Sequence, residues 1–249
     1  MFSIQDRNFL RDHILQLAKS DSRVVAGAIV GSLALGDGDR WSDLDLTFSV
    51  ADDYSILDVL EDWTSHIIRE FNATQLFDLP RGASLYRVFL LPGCLQFDLS
   101  FTPASKFGAS GPKFRLLYGT SVEKPYPQPP DARELFGYAV LHAVRARFCI
   151  ERGRYWQAEY WISGTRDYAL QLACLRRHLP TVEGRGFDDL PSEIRDVFSN
   201  ALVINLTRDE LLRALGRVID GLLHEIDGVQ ELAIKVKPQL LELTAELNS

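Results

Sequence analysis

The sequence predicts an α+β chain of two parts, an N-terminal mixed sheet with helices over residues 1–128 and a C-terminal α-helical bundle over residues 129–249. Short β-branched apolar runs share the first hundred residues with two helical stretches. A Gly-, Pro- and Ser-rich segment then runs from Pro103 to Pro130 and ends in Pro125-Tyr-Pro-Gln-Pro-Pro130, the composition of a domain boundary. Beyond it the apolar residues recur with helical period alone.

Phe9, Leu10, Ile14, Leu15 and Leu17 recur at helical spacing, and the polar stretch Lys19-Ser20-Asp21-Ser22 ends that first helix. Val24 to Val30 reads as a strand followed at once by Gly31-Ser32. Leu44 to Val50 reads as a second strand after the loop Gly36-Asp37-Gly38-Asp39-Arg40, and Ile56 to Phe71 as a helix. Three further strands are expected at Ala73 to Phe77, Leu85 to Leu91 and Cys94 to Phe101, the last two joined by a Pro92-Gly93 hairpin turn. Another is expected at Phe114 to Tyr118.

In the second half the helical segments are Leu135 to Ile150, Tyr155 to Leu179, Leu211 to Ile226, and Val229 to Leu247, the last kinked or broken at Pro238. Leu211, Leu212, Leu215, Val218, Ile219, Leu222 and Leu223 form one apolar stripe suited to a bundle core. Gly184 to Pro191 reads as an ordinary helix connection. There is no internal repeat.

A chain of 249 residues, 46% hydrophobic and 24% charged, can bury a sizeable core without a disulfide or metal staple. With 27 basic against 34 acidic side chains the net charge is −7, so bulk electrostatics draw it neither to nucleic-acid polymers nor to anionic membranes. Cys94, Cys149 and Cys174 lie in apolar neighbourhoods without metal-ligand spacing and read as buried thiols of a reducing compartment. Asp6, Arg7, Arg11, Asp12 and Lys19 interrupt the first helix, which leaves no signal-peptide core there, and no apolar run is long enough to span a membrane. The expected location is the cytoplasm, as a monomer or homodimer.

The segment from Gly31 to Leu46 carries the chemistry. Strand alternation sends Asp43 and Asp45 to one face while Leu44 and Leu46 turn to the core. Two adjacent carboxylates repel unless a cation lies between them, and hard oxygen ligands suit Mg²⁺, which completes its shell with substrate phosphates. Gly31 allows close backbone approach to a phosphate, and Ser32 offers N–H and hydroxyl donors at a helix start. In Cys94 to Phe101, residues Leu95, Phe97, Leu99 and Phe101 share one face, which leaves Asp98 on the polar face with Gln96 and Ser100. A second metal and an attacking hydroxyl would need such a third carboxylate as ligand or base. This combination of phosphate cradle and acid pair implies phosphoryl or nucleotidyl transfer.

The order Gly31-Ser32, ten residues, Asp43-Leu-Asp45, then Asp98 in an alternating strand resembles the DNA polymerase β-like nucleotidyltransferase superfamily. A helical second half after a Pro-rich link looks like its antibiotic branch, the aminoglycoside and lincosamide adenylyltransferases. The motif resemblance spans Val24 to Phe101. It implies that Gly31 and Ser32 hold a triphosphate, that Asp43 and Asp45 bind Mg²⁺, and that Asp98 is a metal ligand, a general base, or both. The implied reaction transfers a nucleoside monophosphate, AMP from ATP by family frequency, to a hydroxyl of a small acceptor such as an antibiotic, in a resistance or a biosynthetic role. Two other readings are an enzyme that places AMP on a protein, as antitoxin-type relatives do, and a catalytically silent nucleotide-binding module.

Other residues carry two readings each. Ser42 belongs to the cofactor site or fixes its loop by local hydrogen bonding. Asp37 and Asp39 are solvated loop acids or attract a cationic acceptor, and Gly36 and Gly38 are turn residues rather than phosphate contacts. In the helical half Glu159, Ser163, Arg166 and Asp167 lie within helical reach beside Trp156, Tyr160 and Trp161. They are either a cleft wall, with Arg166 on the triphosphate and the acids on the acceptor, or an inter-helix ion pair. The five histidines show no ligand spacing.

Overall fold

The computed structural model describes residues 1–36 and 38–245. Asp37 and the expected helix end at Leu247 lie outside the described residues. The chain divides into two compact units, Met1–Pro127 and Gln128–Ser249, each with its own core.

The first unit runs α1 (Ile4–Ser20), β1 (Val24–Val30), β2 (Leu44–Val50), α2 (Ile56–Phe71), β3 (Thr74–Arg81), β4 (Ser84–Leu91), β5 (Leu95–Pro103) and β6 (Phe114–Tyr118). Its sheet has the order β3-β4-β5-β2-β1-β6. The central β2–β5 pair is parallel, while β1–β2, β1–β6, β3–β4 and β4–β5 are antiparallel. On one face Leu44, Leu46, Phe48 and Val50 join Phe97, Leu99 and Phe101 against Leu10 and Ile14 of α1 and Leu60, Trp63 and Ile67 of α2. A capping box at Ser3 and Asp6 starts α1, and Ser55 caps α2 by accepting from the Asp58 amide. Arg87, which points to this apolar face from β4, is 2% exposed and is satisfied by Asp78, Glu61 and Thr64.

The second unit packs α3 (Ala132–Glu151), α4 (Tyr155–Arg176), α5 (Ser192–Ser199), α6 (Arg208–His224) and α7 (Gln230–Glu242). Ala139, Ala143 and Ala146 of α3 and Ala158, Ala169 and Ala173 of α4 keep these helices close, and the α6 stripe from Leu211 to Leu222 completes the core.

Several sequence expectations change. The strand expected to end at Phe77 continues to Arg81, because an edge strand exposed along its whole length needs no strict alternation and tolerates Pro80. Helix α5 went unread: it is a single short amphipathic segment behind Pro191. Pro238 stands inside α7, which is assigned as one helix through it. Cys94 is exposed, not buried, since it closes the β4–β5 turn at positive φ instead of entering the strand; Cys149 and Cys174 are buried. Among the described residues no helix is long and apolar enough to cross a membrane.

Asp21 joins α1, β1 and α2. Its carboxylate accepts from Arg23 and from the indole N–H of buried Trp63, and the Arg23 guanidinium, then Trp63, hold its pKa down to about 2 against the partial burial that would raise it. A folded value below the unfolded one stabilises above the unfolded carboxylate range and loses that stability as pH falls towards about 2. Replacing it (Asp21→Asn) should cost about 1–2 kcal/mol near neutrality, discounted for solvent at the pair, and almost nothing near pH 2. Urea unfolding followed by tryptophan fluorescence across that range measures the difference.

Candidate active site

The sheet's second face is polar where β2 meets β5. Parallel register sets Asp45 beside Asp98, then Thr47 beside Ser100 and Ser49 beside Thr102. Asp43 sits one residue before β2. One carboxylate oxygen from each of Asp43, Asp45 and Asp98 lies within 4.8 Å of the others, and all three residues are half-buried. Burial, with the Asp43 charge adding to it and the Gln96 amide opposing, pushes the Asp98 carboxyl above the ordinary carboxylate value. A cluster of three hard oxygen donors at this spacing fits a divalent cation such as Mg²⁺ or Mn²⁺, which would relieve the repulsion.

Gly31 follows β1 at φ 71°, where a side chain would be strained. A Cβ there would also collide with a carboxylate oxygen of Asp45. The room that glycine leaves is therefore taken by Asp45 itself. Ser32 opens a short 3-10 turn (Ser32–Ala34) and lines a cavity of about 430 Å³ with Asp43, Ser42, Trp41, Asp39 and Gln96.

The Ser42 hydroxyl is engaged with Asp39, donating to its carboxylate at 3.0 Å and accepting from its amide at 3.0 Å. Asp39 also accepts from the Trp41 amide, and these bonds hold its carboxyl low. Local bonding thus shapes the loop that leads into Asp43. Arg7 of α1 fastens it from below, donating to the carbonyls of Asp39 at 2.7 Å and Ser42 at 2.6 Å while only 4% exposed. Sequence reasoning counted Arg7 only as a helix charge; its one detectable signal is an arginine on the side of α1 that carries Leu10 and Ile14.

Arg166 belongs to the second unit, on α4, where it pairs with its neighbour Asp167 at 3.2 Å. Ser163 donates to Glu159 at 2.6 Å on the same helix. The ion pair expected here between helices lies within one helix. Trp156 and Tyr160 are largely exposed on α4, and Trp161 packs on His142. One histidine pair escaped the sequence reading, Nε2 of His13 facing Nε2 of His66 at 3.1 Å across α1 and α2.

No protein-family model matches the chain, and no curated protein matches it in sequence. Among solved structures it is similar to an aminoglycoside 6-adenyltransferase from Bacillus subtilis, at 13% identity and TM-score 0.42 over 95% of this chain and 97% of that one. It is also similar to a nucleotidyltransferase-like protein from Exiguobacterium sibiricum, at 11% identity and TM-score 0.38 over 88% and 75% of the two chains. A cyclic dinucleotide synthase from Elizabethkingia meningoseptica matches at 10% identity and TM-score 0.31 over 89% and 78%.

Three clustered acids leave a signature in stability. Without cation, Asp43→Asn should raise the stability of the first unit by about 0.5–1 kcal/mol by removing repulsion, and the same change should abolish stabilisation by Mg²⁺. In the wild type, saturating Mg²⁺ at about a hundred times its Kd should add roughly 2.7 kcal/mol. The raised Asp98 value makes cation binding weaken as pH falls, beginning above the ordinary carboxylate range. Apo stability shifts oppositely, because protonation relieves a buried charge. Thermal unfolding with and without Mg²⁺, from neutral pH downward, reads both effects.

Proposed function

We propose that the chain is a Mg²⁺-dependent nucleotidyltransferase that moves a nucleoside monophosphate, AMP from ATP as the first candidate, to a hydroxyl of a small acceptor of the aminoglycoside or lincosamide kind. The observation that supports it is the convergence of the Asp43, Asp45 and Asp98 carboxylates within 4.8 Å on the polar face of the sheet. Phosphoryl chemistry of this class needs positioning and charge neutralisation more than covalent catalysis. A Mg²⁺ ion held by the three acids would supply that neutralisation at the α-phosphate and the departing pyrophosphate.

The residues of this chain do the rest. Asp98, the third acid of the cluster, takes the proton of the acceptor hydroxyl as that oxygen attacks the α-phosphorus and pyrophosphate departs. Asp45, fixed in the β2–β5 register and wedged against Gly31, sets the position of the reacting phosphate. Ser32 lies in the cavity beside Asp43 and offers its hydroxyl and amide to phosphate oxygens. The Arg7 clamp keeps residues 39–42 still, so Asp43 is held in place before substrate arrives. Arg166 and Ser42 remain further candidates for the triphosphate in this reading, and a resistance role and cytoplasmic location follow from it as proposals.

Transfer of label from α-labelled nucleoside triphosphates to pools of aminoglycosides and lincosamides tests this. Asp43→Asn and Asp45→Asn should each lower transfer by on the order of a thousandfold, and Asp98→Asn by about a hundred- to ten-thousandfold. Arg7→Met should reduce transfer less, and mainly by weakening Mg²⁺ binding. Near-normal transfer by Asp43→Asn, or label on protein alone, would contradict the proposal.

A further inference from the structure

Beyond the carboxylates the polar face continues into a partly open cavity of about 120 Å³ between the sheet and the segment leading to β6. Thr47, Ser84, Tyr86, Thr102 and Lys113 line it, and Ser100 lies under it bonded to Thr47. This is an unusual use of central strands. Nearer β1 the same face is apolar, with Ala26 and Ala28 covered by Phe107 and Phe114. Yet Thr47, Ser100 and Thr102 are 7%, 1% and 3% exposed, so buried hydroxyls stand where apolar side chains would pack at no polar cost.

The hydroxyls are paired in a way that leaves protons over. Ser100 donates to Thr47 at 2.8 Å, which leaves the Thr47 proton uncommitted by that bond. Ser84 and Thr102 share one bond at 2.6 Å, so one of their two protons is likewise uncommitted by it. Two hydroxyl protons thus remain beside a space that Tyr86 and Lys113 also line, a lining that suits oxygen acceptors. Each hydroxyl oxygen can also accept, so the complementary ligand carries several hydroxyls of its own.

The place matters as much as the chemistry. Thr47 and Ser100 are two residues beyond Asp45 and Asp98 on the same face, roughly 6–7 Å along the strands. That is the reach from a phosphorus to the far hydroxyls of a sugar that carries it. We infer that this cavity is a sugar subsite, seating a polyhydroxylated ring of the substrate on the Thr47–Ser100 and Ser84–Thr102 hydroxyl pairs beside the carboxylates. The inference rests on the nucleotidyltransferase reading for its direction. The sugar comes either from the nucleotide, as its ribose, or from the acceptor.

The full chain is titrated with Mg²⁺–ATP and with Mg²⁺–2′,3′-dideoxy-ATP by calorimetry, and with ribose 5-phosphate and a free amino sugar by amide NMR. Thr47→Val and Lys113→Met are measured alongside; the second changes an exposed side chain that belongs to none of the hydrophobic cores. If ribose occupies the cavity, ATP should bind about tenfold or more tightly than its dideoxy analogue, and both variants should shrink that ratio towards one. If the acceptor supplies the sugar, the ratio is near one, while the amino sugar shifts the Thr47, Ser100 and Thr102 amides and both variants weaken it. Mg²⁺–ATP binding with a ratio near one and no sugar-induced shifts overturns the subsite and leaves the nucleotidyltransferase reading standing. Sugar-induced shifts without any Mg²⁺–ATP binding keep the subsite and overturn that reading. No binding of any of the four overturns both.

Discussion

The repulsion among three carboxylates, imposed by one strand pairing, is the constraint around which the first unit is built. Parallel pairing of β2 with β5 puts Asp45 opposite Asp98, and the residue before β2 adds Asp43. Like charges this close are costly in a half-buried setting, so the protein must hold them by force from elsewhere. The force comes from the opposite face. Phe48, Phe97, Phe101 and Trp63 form a core that fixes the register, and a slip of one residue would drive these apolar groups into solvent and the acids into the core.

Around that pair the chain removes freedom. Gly31 is required twice, for its positive φ and for the space that Asp45 occupies. Arg7 reaches from α1 to the carbonyls of Asp39 and Ser42, and Ser42 and Asp39 bond to each other, so the entry to β2 is tied at both backbone and side-chain level. A preorganised set of anionic oxygens is what a hard cation and a phosphate require of a protein. The burial that raises Asp98 gives one member of the set a readier hold on a proton than an ordinary carboxylate has.

Much of this was legible because it rests on alternation. The β-branched runs gave β1 and β2 their full extents, the amphipathic period gave α2, and the same alternation separated Asp43, Asp45 and Asp98 from the leucines and phenylalanines between them. What was not legible depends on residues far apart in sequence or on weak local signals. Arg7 meets Ser42 across 35 positions, and His13 meets His66 across 53. Strand β3 is exposed throughout and carries no buried period, while α5 is only eight residues long. Ser100 was visible on the polar face, but its partner Thr47 emerges only once β2 and β5 are paired.

The proposed function turns on a cation held jointly by the three acids, and the most direct measurement is a crystal grown with Mn²⁺ and a non-hydrolysable ATP analogue, read by anomalous scattering. The expected result is a peak at about 2.0–2.3 Å from oxygens of Asp43 and Asp45, with Asp98 beside it and an α-phosphate oxygen completing the shell. A nucleotide bound away from these acids, or carboxylates that stay bare at saturating Mn²⁺, would contradict it.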